Sequence, residues 1–201
     1  SLCIDRSLDR MGLDYVDIFY HQCMDRETPL EETMSALDQI AKSGKALYIG
    51  LSNYDSDTLK KASAILKDLK CPYVVNQNRY SIFDRSIDGN GVKKTTAQEG
   101  KGLIVYSPLE QGLLSSKYLD GMIPADSRMA SDSPFLTEDS LTADMLTRLN
   151  KLNEVAALRG QTLSQLAISW ALRDETVASV VIGASRPEQI IENVRAINQI
   201  N

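Results

Sequence analysis

Polar residues that could hydrogen-bond a ligand follow each of the short apolar runs in this sequence. In parallel α/β folds, functional groups gather at the carboxyl ends of the strands. Amides and hydroxyls at such ends suit hydrogen bonding to a neutral amide or carbonyl group. The same residue types also favour helix starts, but their recurrence at all five ends favours a binding site. The ends are His21-Gln22, Ser52-Asn53, Asn76-Gln77, Tyr106-Ser107 and the run Gly183 to Ser185.

Two of these ends also have the character of an anion-binding site. The run 107–114 leads to Lys117, and Arg128 follows further along the chain. The run 183–186 opens a helix whose N-terminal amides and dipole favour a phosphate. Lys117 and Arg128 alone would more often be solvated surface charges. Barrels commonly bind phosphate after their last two strands, and the position of Lys117 and Arg128 after the first of these two indicates a phosphate-bearing ligand.

Apolar runs of strand length alternate with helical patterns along the chain. The runs are dense in Val, Ile and Tyr, as expected of strands buried on both faces. They recur at a spacing of roughly thirty residues, which predicts βαβ units and a parallel sheet. The predicted strands cover residues 15–21, 46–51, 73–77, 102–107 and 177–183.

The segments between the strands carry helix start and stop signals. Residues 28–31 and 162–165 each read as a capping box, and Gly44 and Gly160 close helices. A weaker helix over 87–99 is interrupted by Gly89 and Gly91. The other predicted helices cover residues 56–70, 142–159, 162–173 and 185–197.

Five βα units form either an open doubly wound sheet or five-eighths of a (β/α)₈ barrel. The open dinucleotide-binding sheet should carry G-x-G-x-x-G after its first strand, but that strand ends in Tyr20-His21-Gln22-Cys23. The barrel is therefore favoured, as a single domain over residues 1–201. Residues 112–141 are rich in Ser, Asp, Pro and Gly, and we predict a long ordered loop there that covers the site.

Composition excludes several classes of protein. The net charge of −5 gives no basic footprint for nucleic acid, and no apolar run reaches the ~18 residues of a membrane span. Three cysteines and one histidine leave no zinc site. Residues 1–10 are charged and lack the apolar core of a signal peptide, so we expect a cytoplasmic protein with reduced thiols.

Four motifs in this chain resemble the signatures of aldo-keto reductases. They are Gly-Leu-Asp-Tyr-Val-Asp-Ile-Phe-Tyr at 12–20, Gly-Leu-Ser-Asn-Tyr at 50–54, Tyr-Ser-Pro-Leu at 106–109 with Gln-Gly-Leu-Leu at 111–114, and Ile-Gly-Ala-Ser at 182–185. The similarity is greatest to the branch of bacterial glyceraldehyde-phosphate reductases and potassium-channel β-subunits. It implies a (β/α)₈ barrel of which this chain supplies strands four to eight, without the N-terminal third.

The resemblance also implies NADP(H) as cofactor and assigns its ligands. Ser52, Asn53 and Gln77 match the positions that hold the nicotinamide carboxamide, and Tyr106 matches the aromatic residue that stacks on the nicotinamide ring. The positions that cover the pyrophosphate correspond to Ser107, Pro108, Leu109, Gln111, Gly112, Lys117 and Arg128. The adenosine and 2′-phosphate end corresponds to Gly183, Ser185, Gln189, Glu192 and Asn193, with Arg186 as a further phosphate contact.

The family's catalytic Asp, Tyr, Lys and His are only partly matched. The first three precede the segment that this chain matches. Counting from Val16-Asp17, the histidine position falls on Gln22, and neighbouring strand residues point to opposite faces. The alternative is His21, brought to the site by a local bulge. A glutamine can donate a hydrogen bond to a carbonyl oxygen, but it cannot carry a proton.

These residues leave two functions open. The first is an oxidoreductase that uses NADPH to reduce the carbonyl of a small aldehyde or ketone, in which the chain as given is expected to be inactive alone. The alternative is an NADP(H)-binding regulatory or sensor subunit with little or no turnover. We expect neither a nucleic-acid nor a membrane partner. The substrate and the oligomeric state stay open, a homo-oligomer included.

Overall fold

The computed structural model describes residues 2–200, while Ser1 and Asn201 lie outside the described residues. Strands and helices alternate along most of the chain. The strands are β1 (Val16–His21), β2 (Ala46–Ser52), β3 (Tyr73–Arg79), β4 (Gly102–Tyr106) and β5 (Val177–Val181). The helices are α1 (Leu2–Met11), α2 (Leu30–Lys42), α3 (Ser56–Asp68), α4 (Ser86–Gly89), α5 (Val92–Gln98), α6 (Ala143–Leu158), α7 (Leu163–Leu172) and α8 (Pro187–Val194).

The strands form a five-stranded parallel sheet in the order β1-β2-β3-β4-β5. Strands β1 and β2 pair in one unbroken register from Val16↔Ala46 to His21↔Leu51. Between β2 and β3 the register shifts at Ile49/Gly50, and the pair Ser52↔Gln77 closes the ladder. Sequential parallel strands joined by helices are the arrangement that the alternating pattern predicts, so the prediction of a parallel sheet is confirmed.

The chain divides into two compact units. The first consists of the chain up to Asn78 together with Ser86–Ile104, and the second of Arg79–Arg85 together with the chain from Val105 onward. In the first unit, Ile4 and Leu8 of α1 pack with Ala46 at the start of β2, and Val16, Phe19 and Ile40 surround them. Helix α1 is absent from our sequence-based predictions, because its many charged residues mask a narrow apolar stripe.

Residues 112–141 contribute much of the core of the second unit. Leu114, Tyr118 and Met129 of this segment are at most 3% exposed, and they pack with Leu149 of α6 and Leu163 of α7. The segment contains short 3-10 turns and neither a strand nor an α-helix. That this segment covers the cofactor site stays a prediction.

Side-chain caps confirm two of the predicted helix starts. The Thr142 side chain accepts from the Met145 amide, and Thr162 forms a complete capping box with Gln165. The predicted box at Thr28 is wrong: Pro29 caps α2 without a side-chain hydrogen bond. Thr28 instead donates its hydroxyl to the Asp25 carboxylate at 2.6 Å, so its oxygen stabilises the preceding turn.

Helices α4 and α5 reproduce the predicted interruption near Gly89 and Gly91, and Gly91 has φ +87°. The last helix ends at Val194, and residues Arg195–Gln199 continue as a 3-10 helix. Among residues 2–200, no helix is both long enough and apolar enough to cross a bilayer.

Candidate functional site

A group of hydrogen-bonded amides and hydroxyls lies at the carboxyl ends of β1, β2 and β3 in the first unit. The Ser52 hydroxyl is buried and donates to Gln77 Oε1 at 3.3 Å. The Asn53 amide Nδ2 donates to the Gln22 carbonyl at 3.0 Å and to Ser52 Oγ at 3.2 Å. The Asn53 backbone N–H donates to the Gln77 carbonyl at 3.0 Å. The structure therefore brings the predicted residues Ser52, Asn53 and Gln77 together, next to the Gln22 backbone.

Asn53 adopts a backbone conformation that few residues tolerate. Its φ is +57°, in the left-handed region. Asparagine enters this region more readily than other residues with a Cβ, because its short amide can hydrogen-bond locally. The side-chain hydrogen bonds of Asn53 to the Gln22 carbonyl and to Ser52 Oγ supply that compensation. Strained backbone of this kind is found preferentially at functional sites, where the surroundings hold it in place.

His21 and Gln22 have different surroundings at the end of β1. The His21 Nδ1 atom lies 2.7 Å from the Tyr54 hydroxyl, and Tyr54 is only 2% exposed. Burial lowers the pKa of His21, although the charge of Asp25 opposes the shift. Burial also raises the pKa of Tyr54 to about 12. The His21 ring thus contacts a buried phenol, while the Gln22 side chain is exposed.

A cleft of about 780 Å³ lies in the second unit. Clefts of this size accommodate cofactors and drug-sized ligands. All the cofactor residues that the sequence predicts between Tyr106 and Asn193 line it. They are Tyr106, Ser107, Pro108, Leu109, Gln111, Gly112, Lys117, Arg128, Gly183, Ser185, Gln189, Glu192 and Asn193, and Arg186 lies there too.

The segment that follows β4 lines this cleft with three linked side chains. Gln111 donates from Nε2 to Ser107 Oγ at 3.0 Å. Its Oε1 accepts a hydrogen bond from the Arg128 guanidinium. Ser107 and Gln111 have φ values of +57° and +60°. Arg128 belongs to a 3-10 turn that the buried Ser127 caps, so the cationic group is attached to an ordered element.

The start of α8 also lines the cleft. The Ser185 backbone N–H donates to Gln189 Oε1 at 2.8 Å, and Pro187 occupies the first turn. Glu192 is held by its backbone carbonyl, which accepts from Gln165 Nε2 at 2.9 Å. The N-terminal end of a helix favours an anion. Arg186 is exposed beside it.

The lining of the cleft also includes residues that the sequence did not predict. Ser115 and Ser116 lie on the loop between Gly112 and Lys117, and this position was a signal that could have identified them. Ser164 could not be predicted from the sequence, because a position in the helix α7 does not indicate contact with the cleft. The other additions are Tyr118, Asp126, Val181 and Ile182. Within the described part of the chain, three cations and two carboxylates line the cleft, which suits an anionic ligand.

Strand–helix alternation, a parallel sheet and polar strand ends define an α/β protein of the (β/α)-barrel type. A model of the Aldo/keto reductase family matches residues 2–201. The chain therefore belongs to the aldo/keto reductase family.

The curated relatives include a reductase and a channel subunit. The chain is 47% identical over 200 residues to the L-glyceraldehyde 3-phosphate reductase of Escherichia coli K12, covering 98% of this chain and 58% of the relative. It is 37% identical over 197 residues to a probable voltage-gated potassium channel subunit beta of Oryza sativa subsp. japonica, covering 96% of this chain and 60% of the relative. The chain thus spans about three-fifths of the length of the relatives it matches.

A solved structure shares the fold. It is a thermostable aldo-keto reductase in complex with the inhibitor epalrestat, at a TM-score of 0.73 and 29% identity, covering 97% of this chain and 59% of that one. The five parallel strands and their helices are accordingly those of a partial (β/α)₈ barrel.

Proposed function

We propose that this chain binds NADP(H) in an oxidoreductase that reduces the carbonyl of small aldehydes or ketones. The observation that carries the proposal is the cleft of the second unit. Residues from three separate parts of the chain line it, and the family resemblance assigns them to one cofactor. Random surface positions separated by up to 87 residues, such as Tyr106 and Asn193, would not be expected to share one cleft.

The lining of the cleft fits a dinucleotide. Lys117 and Arg128 are proposed to neutralise the pyrophosphate, and the α8 N-terminus with Arg186 the 2′-phosphate. Tyr106 offers a ring for stacking. In the first unit, Ser52, Asn53 and Gln77 are the proposed partners of the carboxamide. When bound, reduced nicotinamide supplies the hydride, and the residues of this chain bind and orient it.

Gln22 is the proposed occupant of the catalytic histidine position. Two features support Gln22 over His21. The register of β1 with β2 is unbroken up to His21, and the His21 ring is engaged by the buried Tyr54 hydroxyl. Gln22 could donate a hydrogen bond from Nε2 to a carbonyl oxygen. It could not deliver a proton, so a general acid must come from another residue.

The alternative is an NADP(H)-binding regulatory subunit with little turnover. The likeness to potassium-channel β-subunits supports it, as does an amide at the catalytic position. We further propose that residues 1–201 alone reduce carbonyls very slowly, because general acid–base assistance is worth about 10²–10⁴-fold in rate. A cytoplasmic location remains our prediction, supported by three free cysteines.

Binding and turnover separate the two functions. NADPH is titrated into the full-length polypeptide that carries these residues, and its oxidation is then followed with 4-nitrobenzaldehyde. Saturable binding with turnover supports the reductase. Saturable binding without turnover supports the regulatory subunit, and the absence of saturable binding contradicts both.

A further inference from the structure

The loop after β4 contains two successive residues in an unfavourable backbone conformation. Glu110 has φ +46° and Gln111 has φ +60°. For residues with a Cβ, the left-handed region is strained, because the Cβ comes too close to the following carbonyl oxygen. Leu109, Gln111 and Gly112 line the cleft, and Glu110 lies between them in sequence without lining it. Some interaction of Glu110 must therefore offset the strain of this turn.

The Glu110 carboxylate makes that interaction with the segment Arg79–Arg85 of the same unit. One oxygen, Oε2, accepts from the Arg79 guanidinium, and the two groups form an ion pair. The other oxygen, Oε1, accepts from the Ser81 hydroxyl. The Glu110 side chain is only 12% exposed. A charge-assisted bond to a largely buried carboxylate is stronger than a solvated surface pair.

The residues that hold Glu110 are themselves fixed. Ser81 Oγ accepts from the backbone amides of Phe83 and Asp84, at 3.1 and 2.9 Å. Arg79 forms a second ion pair, between its Nε and Asp84 Oδ2 at 3.3 Å. Arg79 and Ser81 therefore act as a fixed support, and the loop that bears Glu110 is the part they restrain.

We propose that Arg79 is a positioning residue for nucleotide binding, which acts by holding Glu110 and thereby keeping residues 107–112 in the conformation that lines the cleft. The proposal rests on the proposed function, since it concerns the affinity for NADP(H). Arg79 itself is not a lining residue of the cleft. Its effect on the nucleotide passes through Glu110 to the neighbouring Leu109 and Gln111.

Variants at the two ends of the ion pair test this proposal with opposite charge changes. In the full-length polypeptide, Arg79→Met and Glu110→Gln are each expected to raise the Kd for NADPH about three- to tenfold. If only long-range charge mattered, Glu110→Gln would remove a negative charge near an anionic ligand and strengthen binding. Weaker binding in both variants is therefore the signature of a positional effect.

The double variant and a conservative variant extend the test. Arg79→Met with Glu110→Gln should weaken binding no more than the larger single change, because the residues act as one unit. Arg79→Lys, which keeps the charge, should recover part of the affinity. In nucleotide-free protein, amide hydrogen exchange over residues 107–114 should rise in Arg79→Met and stay unchanged elsewhere.

An ion pair outside the cleft provides the matched control. Arg148 and Asp144 of α6 pair at 2.8 Å with side chains 60% and 70% exposed, and Arg148→Met should leave both Kd and exchange unchanged. NADPH binding by Glu110→Gln that equals or exceeds that of the wild type would overturn the positioning role alone. Failure of the wild type to bind NADPH would instead remove the proposed function and, with it, this role.

Discussion

Replacing Lys117 with methionine should weaken NADPH binding in a way that depends on salt. Lys117 lies in the 3-10 turn Ser116–Tyr118, is half-buried and lines the cleft. A unit charge pair about 4 Å apart gains ~1 kcal/mol in water and ~4 kcal/mol near a protein surface. The attraction between a half-buried lysine and a phosphate should lie at the lower end of this range, and it should contribute about 1–2 kcal/mol to the binding free energy. That loss raises Kd about five- to thirtyfold.

Ionic strength separates this charge effect from a loss of packing. Screening extends over about 30 Å at 0.01 M salt and about 3 Å at 1 M salt. The ratio of the Kd of Lys117→Met to that of the wild type should therefore fall to a few-fold at high salt. NADPH fluorescence titrations at both salt concentrations measure it. Lys151→Met, at an exposed position of α6, is the control. Its Kd for NADPH should equal that of the wild type at both salt concentrations.

A ratio that does not change with salt would refute the assignment of Lys117 to a phosphate. A ratio near one at both salt concentrations would refute any contact between Lys117 and the nucleotide.

Other variants test the stacking residue, the caps, the packing and the one histidine. Tyr106→Ala should raise the NADPH Kd about two- to tenfold, whereas Tyr106→Phe, which keeps the ring, should not. Thr162→Ala should lower the free energy of unfolding by about 1 kcal/mol in urea, since it breaks the capping box of α7. Gly50→Ala should cost about 1–3 kcal/mol by the same assay, because the new Cβ would lie 2.5 Å from Tyr20 Cε1. Because burial lowers the pKa of His21, the folded state binds fewer protons than the unfolded state near this pKa. The free energy of unfolding should therefore fall as pH drops below about 6.5 and level off below the folded pKa. His21→Asn should flatten this part of the plot of unfolding free energy against pH.

The sheet was predictable because its strands carry two independent signals. Each is a short run rich in β-branched and aromatic residues, and several are followed by a helical pattern with its own start signal. The strand predicted over residues 73–77 is too short, since β3 continues through Asn78 to Arg79. The polar residues Asn78 and Arg79 give no sign in the sequence that the strand continues through them. At Thr28 the sequence predicts a helix cap that does not form, because the Thr28 hydroxyl donates to the Asp25 carboxylate instead.

The site was predictable only in outline. The strand ends indicate which polar residues could bind a ligand, and the family motifs assign these residues to a single ligand. The support of Arg79 for Glu110 could not be predicted, because it joins residues 31 apart in sequence through a left-handed turn. Single-sequence patterns do not encode such a turn when the residue is neither Gly nor Asn.

Nucleotide binding by the full-length polypeptide tests the central claim most directly. Isothermal titration with NADPH should give saturable binding at one site per chain, competed by NADP⁺. Gly183 lines the cleft, and a Cβ added at this position would have nothing within 4 Å of it. Gly183→Asp, which places a carboxylate there, should therefore weaken NADPH binding without unfolding the protein. The absence of saturable heat with the wild type, or unchanged affinity in Gly183→Asp, would contradict the assignment of this cleft to NADP(H).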